Sequence, residues 1–384
     1  MIDQVADAFE RKDYRTAAQL LKQLVQQEPK NPLVRLYVGR LHEATGKLEA
    51  AETVYRQLLQ NTSNSKIMSQ ARQGLGRLEK MEQERRRQAL ASATADPSST
   101  ELGVLVLEPI SAEVKQAAAQ KLARIMQIDP YTAKLQLPTR GWRLYRTGRV
   151  GELQFYASSL RGAEIPCFCA SLANIKKINV FSVHYFSDSK AVARLGASGS
   201  PSPQATVVCQ DAQGQLGSFP FNWSEVTQRV EGLLPLFEEV VDRDARGKLQ
   251  RKTKTLDYVQ VCDLHLPARG SILRLSDRHY QFQKSITLAP QQRQDSQAGS
   301  QALPLHQTTT RKNWNNLLEF LNHSLPKIPV WSDFTPFAET ALDYKEMLGR
   351  LPSHIDISRR KESLWDPAFQ LYSGLVFLKN TSKQ

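Results

Sequence analysis

Two cysteines, Cys167 and Cys169, form the closest pair of soft metal ligands in the chain. On a strand, the alternation of side chains would place both sulfur atoms on the same face. Structural zinc sites usually add a second such pair, but the other cysteines, Cys209 and Cys262, stand alone. Two interpretations stay open: a metal or redox pair, and buried structural thiols. The second is the usual state of a free cysteine.

Two further groupings carry suitable side chains in an unsuitable geometry. Cys262 and His265 could form half of a metal site, but they are three residues apart in an alternating segment. A strand would therefore point them to opposite faces. Glu238 and Glu239 are adjacent carboxylates, but neighbours on a helix, which we predict here, do not face each other. We expect neither a metal site nor an acid–base pair at these positions.

The motifs that accompany common enzyme chemistries do not occur in this chain. It has no G-x-x-x-x-G-K-[ST] or G-x-G-x-x-G phosphate loop, no H-E-x-x-H zinc motif and no G-x-S-x-G nucleophile elbow. We therefore predict that the protein is not an enzyme and that it uses no cofactor and no metal.

Several positions near the N-terminus repeat with a period of 34 residues. The four pairs are Asp13 and Lys47, Ala17 and Ala51, Leu21 and Tyr55, and Leu24 and Leu58. A period of this length is typical of stacked helical hairpins. In such a stack, a small residue lets two helices approach closely and a large apolar residue fills the groove beside it.

This pattern resembles the tetratricopeptide repeat (TPR). Ala17 and Ala51 match the small residue where helix A and helix B of a unit cross, and Gly39 matches the small residue of helix A. Pro29 matches the proline that ends the first unit, since proline cannot continue a helix. The resemblance covers residues 1–93 and implies an array of helical hairpins that binds a protein or peptide.

In TPR proteins, helix A lines the concave side of the array. The resemblance therefore places the partner-binding residues on or near helix A of the second unit, where the candidates are Arg35, Tyr37, Arg40 and His42. The alternative is that some of these side chains pack on the rest of the protein. Arg35 stands where the family commonly has tryptophan, and no residue set that grips a terminal carboxylate can be assigned.

A third, partial unit follows residues 61–66, with Leu75 and Gly76 at the small-residue step of its helix A. The charged sequence beyond it is predicted to continue this helix and to give the array the polar end that a solenoid needs. This end carries three arginines that are either solvated or bind anions: Arg85, Arg86 and Arg87. Residues 91–100 are small and polar, and we predict a linker there.

Residues 102–290 are predicted to form an α/β domain, because strand-like apolar runs alternate with helix-like periodicity. The predicted helices include 111–127 and 152–161, and the predicted strands include 178–186, a hairpin over 205–221, 258–266 and 271–275. A further helix is predicted after Asn222, because Glu225 stands at capping-box spacing from it. Val226, Val230 and Leu234 would form its apolar face.

A basic loop is predicted after that helix. Its cations are Lys248, Arg251, Lys252 and Lys254. Acidic residues stand nearby, so the loop is either solvated or in contact with an acidic partner or phosphate. The formal net charge of +13 favours acidic partners, nucleic acid or an anionic surface. RNA or another anionic surface is therefore the alternative partner, although no RNP-like aromatic motif accompanies the basic clusters.

Residues 291–312 are rich in Gln, Ser and Thr, and we predict a flexible linker there. Residues 311–384 are predicted to form a mainly helical tail domain that packs on the α/β domain. It would contain helices near 314–321, 335–348 and 366, and a closing strand at 375–378. Trp331 and Trp365 either fill a small core or line a ligand slot.

These features together predict an α+β multidomain protein, in which an N-terminal TPR helical-hairpin array precedes α/β sandwich-type structure and a helical C-terminal part. No run approaches the roughly 18 apolar residues of a transmembrane helix, and the N-terminus lacks signal-peptide features, so we expect a cytoplasmic protein. We predict an adaptor, scaffold or assembly factor that binds its partner through the TPR groove, with the oligomeric state left open. The whole layout loosely resembles TPR-containing proteins of cyanobacteria, which implies no activity.

Overall fold

The computed structural model describes residues 1–96, 100–189, 204–243, 249–285, 309–357, 359 and 362–381 of the chain. The chain divides into two compact units, Met1–Ala93 and Thr94–Gln384. The first unit is helical, and the second combines two β-sheets with helices. The predicted fold class, a helical array followed by mixed α/β structure and a C-terminal helix, is confirmed.

Consecutive helices build the first unit as two hairpins and one long final helix. They are α1 (Ile2–Glu10), α2 (Tyr14–Gln27), α3 (Pro32–Ala44), α4 (Leu48–Asn61) and α5 (Ser65–Ala93). Asp13 begins α2 by accepting a hydrogen bond from the Thr16 amide at 3.1 Å. Asn31 begins α3 by accepting from the Leu33 amide at 2.9 Å, with proline at the first helical position.

Tyr55 of α4 ties the second hairpin to the final helix. Its side chain is fully buried, and its ring lies against Gly39 of α3 on one side and Gly74 of α5 on the other. A Cβ atom at Gly39 would come within 2.6 Å of the ring, and one at Gly74 within 2.5 Å. Ala17 and Ala51 have no exposed surface, as the small residue of a close helix crossing requires.

The small residue of the third helix A is Gly74, so the prediction of Gly76 for this position was wrong. A Cβ atom at Gly76 would meet nothing within 4 Å. Gly74 follows Gly39 by 35 residues, so residues 61–66 lengthen the repeat by one residue rather than by three. The same helix continues to Ala93, as predicted for the charged cap.

Two alanine substitutions in α5 should have opposite effects on stability. Gly74→Ala should destabilise the first unit by about 1 to 3 kcal/mol, because the added methyl group overpacks against the Tyr55 ring. Gly76→Ala should stabilise it by about 0.5 to 1 kcal/mol, because alanine is the better helix former and nothing obstructs it. Hydrogen exchange of the amides in α3–α5 measures both changes, and equal protection in the two variants would contradict the packing.

A small sheet opens the second unit. Its antiparallel strands are β1 (Leu102–Leu107), β2 (Arg143–Arg149) and β3 (Cys167–Ser171), in the order β2–β1–β3. The helices between and after them are α6 (Lys115–Met126), α7 (Pro130–Gln136), α8 (Val150–Gly162) and α9 (Leu172–Lys176). α8 packs against all three strands. The predicted helix at 152–161 is thus confirmed as part of α8.

A seven-stranded mixed sheet follows, in the order β10–β7–β8–β9–β4–β5–β6. Its strands are β4 (Asn179–Ser189), β5 (Gln204–Gln210), β6 (Leu216–Asn222), β7 (Gln228–Arg243), β8 (Leu249–Leu266), β9 (Ser271–Ser276) and β10 (Val330–Trp331). The C-terminal helices are α10 (Thr310–Ser324), α11 (Phe334–Ala341), α12 (Lys345–Leu348) and α13 (Trp365–Thr381). The predicted hairpin over 205–221 is confirmed as β5–β6.

The large sheet has a hydrophobic core on each face. On one face, Val230 and Leu234 of β7 share a core with β1, β2, α11 and α13. On the other face, Cys262 and Leu264 of β8 share a core with β4–β6, β9 and Trp314 of α10. The C-terminal helices therefore complete both cores of the second unit. Most of the predicted linker at 291–312 lies outside the described residues.

The prediction of a helix after Asn222 is wrong. The capping box between Asn222 and Glu225 does form, but it closes a single 3₁₀ turn, and the strand β7 follows. Val226, Val230 and Leu234 follow one another at intervals of four residues. An interval of four keeps side chains on one face of a strand and also on one face of a helix. The β-branched residues in this stretch favour the strand.

Two further predictions of secondary structure are also wrong. The predicted basic loop is the first half of β8, where Arg251, Lys252 and Lys254 pair with residues of β7. The predicted closing strand at 375–378 belongs to α13, because a short apolar run does not by itself distinguish a buried helix from a strand. Trp331 and Trp365 pack beside the first core, so the core-filling interpretation of these tryptophans is confirmed.

Candidate functional site

The three A helices, α1, α3 and α5, carry side chains that reach from each helix to the next. Phe9 of α1 contacts Tyr37 of α3, with ring centroids 5.5 Å apart. Glu43 of α3 accepts hydrogen bonds from Arg77 of α5, from Nε at 2.6 Å and from Nη2 at 2.9 Å. These contacts make one surface, which we call the A-helix surface, from Phe9, Tyr37, Arg40, Glu43 and Arg77.

Two of the four predicted partner-binding residues come together on this surface. The guanidinium carbon of Arg40 lies 5.4 Å from the centroid of the Tyr37 ring, a cation–π distance. Both side chains are half-buried. Among the described residues, Arg40 makes no ion pair within hydrogen-bonding distance, so it is available to a partner.

The other two predicted residues lie apart from this pair. Arg35 donates from Nε to the carbonyl oxygen of Pro29 at 3.1 Å, so it holds the turn between α2 and α3. His42 is half-buried in the last turn of α3. The sequence placed all four on one helix correctly, but their roles differ because neighbouring positions on a helix point in different directions.

Sequence reasoning missed Glu43 and Arg77. Burial disfavours the charge on Glu43, but hydrogen bonds from Arg77 and from the Tyr55 hydroxyl at 2.7 Å outweigh it, and the pKa of Glu43 is lowered. Burial and the hydrogen bond to Glu43 raise the pKa of Tyr55. Glu43 and Arg77 are 34 residues apart, so the repeat period was the signal that could have paired them.

The A-helix surface combines an aromatic platform with a cation, Arg40, that forms no close ion pair among the described residues. Glu43 neutralises Arg77 through a bidentate contact, whereas Arg40 stacks on Tyr37. An aromatic ring and a guanidinium group side by side can hold an apolar side chain and an adjacent carboxylate of a partner. Both residue types are enriched among side chains that dominate binding energies.

The predicted anion-contact residues are divided between the two units. Arg85 and Arg87 are exposed on α5, in the first unit. Nη1 of Arg87 lies 4.0 Å from Oε2 of Glu84. Arg251, Lys252 and Lys254 lie on β8 in the second unit. Arg86 is half-buried, and Lys248 lies outside the described residues.

Cys167, Cys209 and Cys262 are buried thiols in the structure, and Cys169 is half-buried. Burial raises the pKa of Cys167 and of Cys209 to about 11, and it also raises the pKa of Cys169 and Cys262. All four are free. Within the described parts of the chain, no group of three His, Cys, Asp or Glu side chains is arranged to hold a metal ion. Thiols with raised pKa are weak nucleophiles and weak ligands at neutral pH.

A buried polar network lies between the large sheet and α13. Arg274 of β9 forms a bidentate contact with Asp263 of β8, at 2.8 and 2.7 Å, and also donates to the carbonyl oxygen of Ser353 at 2.6 Å. Ser373 of α13 contacts Asp263 Oδ2 at 2.6 Å and His265 Nε2 at 2.9 Å. Asp263, His265 and Ser373 have no exposed surface.

The direction of the hydrogen bonds in this network follows from Trp331. The indole N–H can only donate, and it donates to Gln228 Oε1 at 3.2 Å. The Gln228 amide therefore donates to His265 Nδ1 at 2.9 Å, and the remaining imidazole proton, on Nε2, points to the Ser373 oxygen. The Ser373 hydroxyl then donates to Asp263.

This arrangement places a serine, a histidine and an aspartate together without the geometry of nucleophilic catalysis. In a catalytic triad, the serine donates its proton to the histidine, which the aspartate orients. Here the histidine donates to Ser373, and Ser373 donates to Asp263. Cys262 faces the opposite core from His265, as predicted for neighbours three apart on a strand. The network is suited to holding α13 on the sheet.

Comparison with known proteins finds one family. A family model for the tetratricopeptide repeat matches residues 8–75, which span α2–α4 and parts of α1 and α5. No curated protein and no solved structure matches the chain. In the described part of the chain, no helix is long and apolar enough to cross a membrane. Because the family model matches residues 8–75, the N-terminal unit is a tetratricopeptide-repeat region, a kind of module that in general mediates protein–protein interactions.

Proposed function

We propose that this protein is an adaptor, scaffold or assembly factor that captures a protein partner on its A-helix surface. The observation that carries the proposal is the exposed part of the Tyr37–Arg40 stack, which lies between Phe9 and the Glu43–Arg77 pair. A partner segment with an apolar side chain next to a carboxylate would satisfy both members of the stack. The burial of Tyr55 against two glycines gives this surface a rigid support.

Charge reversal of Arg40 should weaken partner capture while the protein stays folded. Arg40 is half-buried and contacts Tyr37 through its guanidinium group, so Arg40→Glu should repel a carboxylate and cost about tenfold or more in affinity. The measurement is affinity capture from extracts of the native source with the full chain as bait. The partners that the wild-type chain retains are then titrated against the Arg40→Glu variant.

A matched control is available on α2, which does not belong to the A-helix surface. Lys22 of α2 is exposed, and Lys22→Glu changes the net charge by the same amount as Arg40→Glu. We expect the Lys22 variant to retain the partner with unchanged affinity. Equal loss in both variants would mean that net charge, and not the A-helix surface, governs capture. Arg35→Glu is a poorer choice, because it also removes the hydrogen bond to Pro29.

Binding of RNA or another anionic surface is the alternative function. It would draw on the net charge of +13, whereas the basic clusters are divided between the two units. A salt titration separates the two functions, because phosphate contacts lose affinity steeply with salt. We further propose that the protein is not an enzyme. The orientation of the Ser373 hydroxyl, which donates to Asp263, supports this proposal.

A further inference from the structure

The two outer A helices flank the A-helix surface with opposite charges, and α1 supplies the acidic side. Val5 and Ala8 of α1 are buried, and Val5 shares a core with α2. At 3.6 residues per turn, Asp3 and Glu10 fall on one row that lies about 180° around the helix from this buried face. Both side chains are exposed, and α1 contains no basic residue. We call Asp3 and Glu10 the acidic row.

Helix α5 supplies the basic side. Its buried face, around Ala71, shares a core with α4. Lys66 and Lys80 are exposed, and they lie about 140° and 180° around the helix from Ala71. Arg77, which contacts Glu43 of α3, lies within about 60° of both lysines. We call Lys66 and Lys80 the basic row.

Neighbouring charges do not cancel either row. Burial disfavours the charge of Glu43, but a hydrogen bond from Arg77 and the nearby charge of Arg40 both lower its pKa. Two guanidinium groups therefore share one carboxylate between the rows. Glu84, one turn beyond the basic row, lies 4.0 Å from Arg87. Among the described residues, none of the four side chains in the rows forms an ion pair, so the rows stay acidic and basic.

The spacing of the A helices sets the width of the element that can touch both rows. Packed helices lie about 8 to 10 Å apart, so the rows are roughly 20 Å apart across α3. An α-helix with its side chains is about 10 to 12 Å wide, and over α3 its two flanks face the two rows. A single extended strand is only about 5 Å wide and reaches one row at a time. Leu33 and Tyr37 of α3 are half-buried and provide an apolar floor.

We propose that the partner presents an amphipathic α-helix that lies along α3, with its acidic flank over α5 and its basic flank over α1. This inference rests on the proposed function and narrows it to one class of partner. The apolar side of the partner helix packs on Leu33 and Tyr37, and its carboxylates reach Arg40 and the basic row. A uniformly anionic partner such as RNA is repelled by the acidic row, and a uniformly basic partner by Arg40 and the basic row.

Three stapled helical peptides of about 20 residues, which share one leucine face, test the proposal in fluorescence-anisotropy titrations with the full chain. The two-sided peptide carries glutamates on one flank and lysines on the other. The second peptide carries glutamates on both flanks, and the third carries lysines on both. We expect the two-sided peptide to bind at least about tenfold more tightly than either of the others. Equal affinities, a preference for a uniformly charged peptide, or no binding of the two-sided peptide would overturn the proposal.

Reversing one row should change which peptide binds best. Asp3→Lys combined with Glu10→Lys makes both sides basic, so this variant should prefer the peptide with glutamates on both flanks. Lys66→Glu combined with Lys80→Glu makes both sides acidic, so this variant should prefer the peptide with lysines on both flanks. All four side chains are exposed, so the variants should stay folded, which circular dichroism checks. A reversed row that leaves the two-sided peptide as the tightest binder would contradict the proposal.

Arg15→Glu combined with Lys22→Glu is the matched control. Both residues are exposed cations of α2, and their spacing of seven residues places them on one side of that helix. We expect this variant to keep the preference of the wild-type chain for the two-sided peptide. A changed preference would mean that net charge governs binding, and it would overturn the role of the rows.

The proposed function and the charged rows fail on different results. A natural partner that Arg40→Glu retains with unchanged affinity would contradict capture on the A-helix surface itself. A natural partner that Arg40→Glu loses, together with peptide affinities that neither reversed row changes, would contradict only the charged rows and the helical partner.

Discussion

Asp263→Asn is expected to destabilise the second unit by about 3 to 5 kcal/mol. Asp263 is fully buried, and Arg274, which is 3% exposed, forms its only close ion pair among the described residues with this carboxylate. Loss of the carboxylate leaves a buried positive charge without compensation, which is the expensive way to break a buried ion pair. The Ser373 hydroxyl loses a charged acceptor at the same time.

Tryptophan fluorescence during urea unfolding measures this effect selectively. The chain has five tryptophans, and all of them, at positions 142, 223, 314, 331 and 365, lie in the second unit. Asp257→Asn is the matched control. The Asp257–Arg278 pair has the same 2.7 Å separation as Asp263–Arg274, but its side chains are 58% and 47% exposed. The control should cost less than about 1 kcal/mol. Similar costs for both substitutions would contradict the network.

The buried network explains why a polar cluster persists between two hydrophobic cores. Asp263 and His265 come from β8, Arg274 from β9 and Ser373 from α13. Each element alone presents an apolar surface that could pack in more than one register. Hydrogen bonds that are satisfied only in one arrangement penalise the others, because an unpaired buried polar group is costly. The network therefore fixes how α13 lies on the large sheet.

The first unit was predictable because its signal is repeated. Ala17 and Ala51, and likewise Leu21 and Tyr55, stand at the same step of two hairpins, so each position supports the other. Where the period lengthens from 34 to 35 residues, the prediction fails, as for Gly76 in place of Gly74. Glu43 and Arg77 were missed although they obey the period, because a polar pair has no apolar periodicity to draw attention to it.

The second unit was less predictable because its apolar spacings fit two structures. Val226, Val230 and Leu234 suit a helix and a strand equally, and the capping box at Asn222 favoured the helix. What decides the outcome is pairing with β8, whose partner residues lie about 20 to 40 positions away in the sequence. Long-range pairing of this kind leaves no local trace, so the strand could not be predicted from the spacing of these residues.

The acid sensitivity of the second unit should depend on His265. Burial lowers the pKa of His265 from about 6.5 to about 4, although the nearby charge of Asp263 raises it. The folded state therefore favours neutral histidine. The resulting stability is fully present above pH 6.5 and is lost as the pH falls from about 6.5 to about 4, because only the unfolded chain binds the proton there. A shift of this size corresponds to about 3 kcal/mol.

His265→Gln isolates this contribution. A glutamine amide can still donate to Ser373 but cannot titrate, so the variant should be less stable at neutral pH and should lose less stability between about pH 6.5 and 4. The quantity to compare is the pH dependence of the unfolding free energy, read from tryptophan fluorescence in both proteins. Other titrating groups, including Asp366 and Asp277 with raised pKa, are present in both and cancel in the difference. Parallel pH profiles would mean that His265 does not titrate on unfolding. They would contradict a neutral, buried imidazole in the folded state.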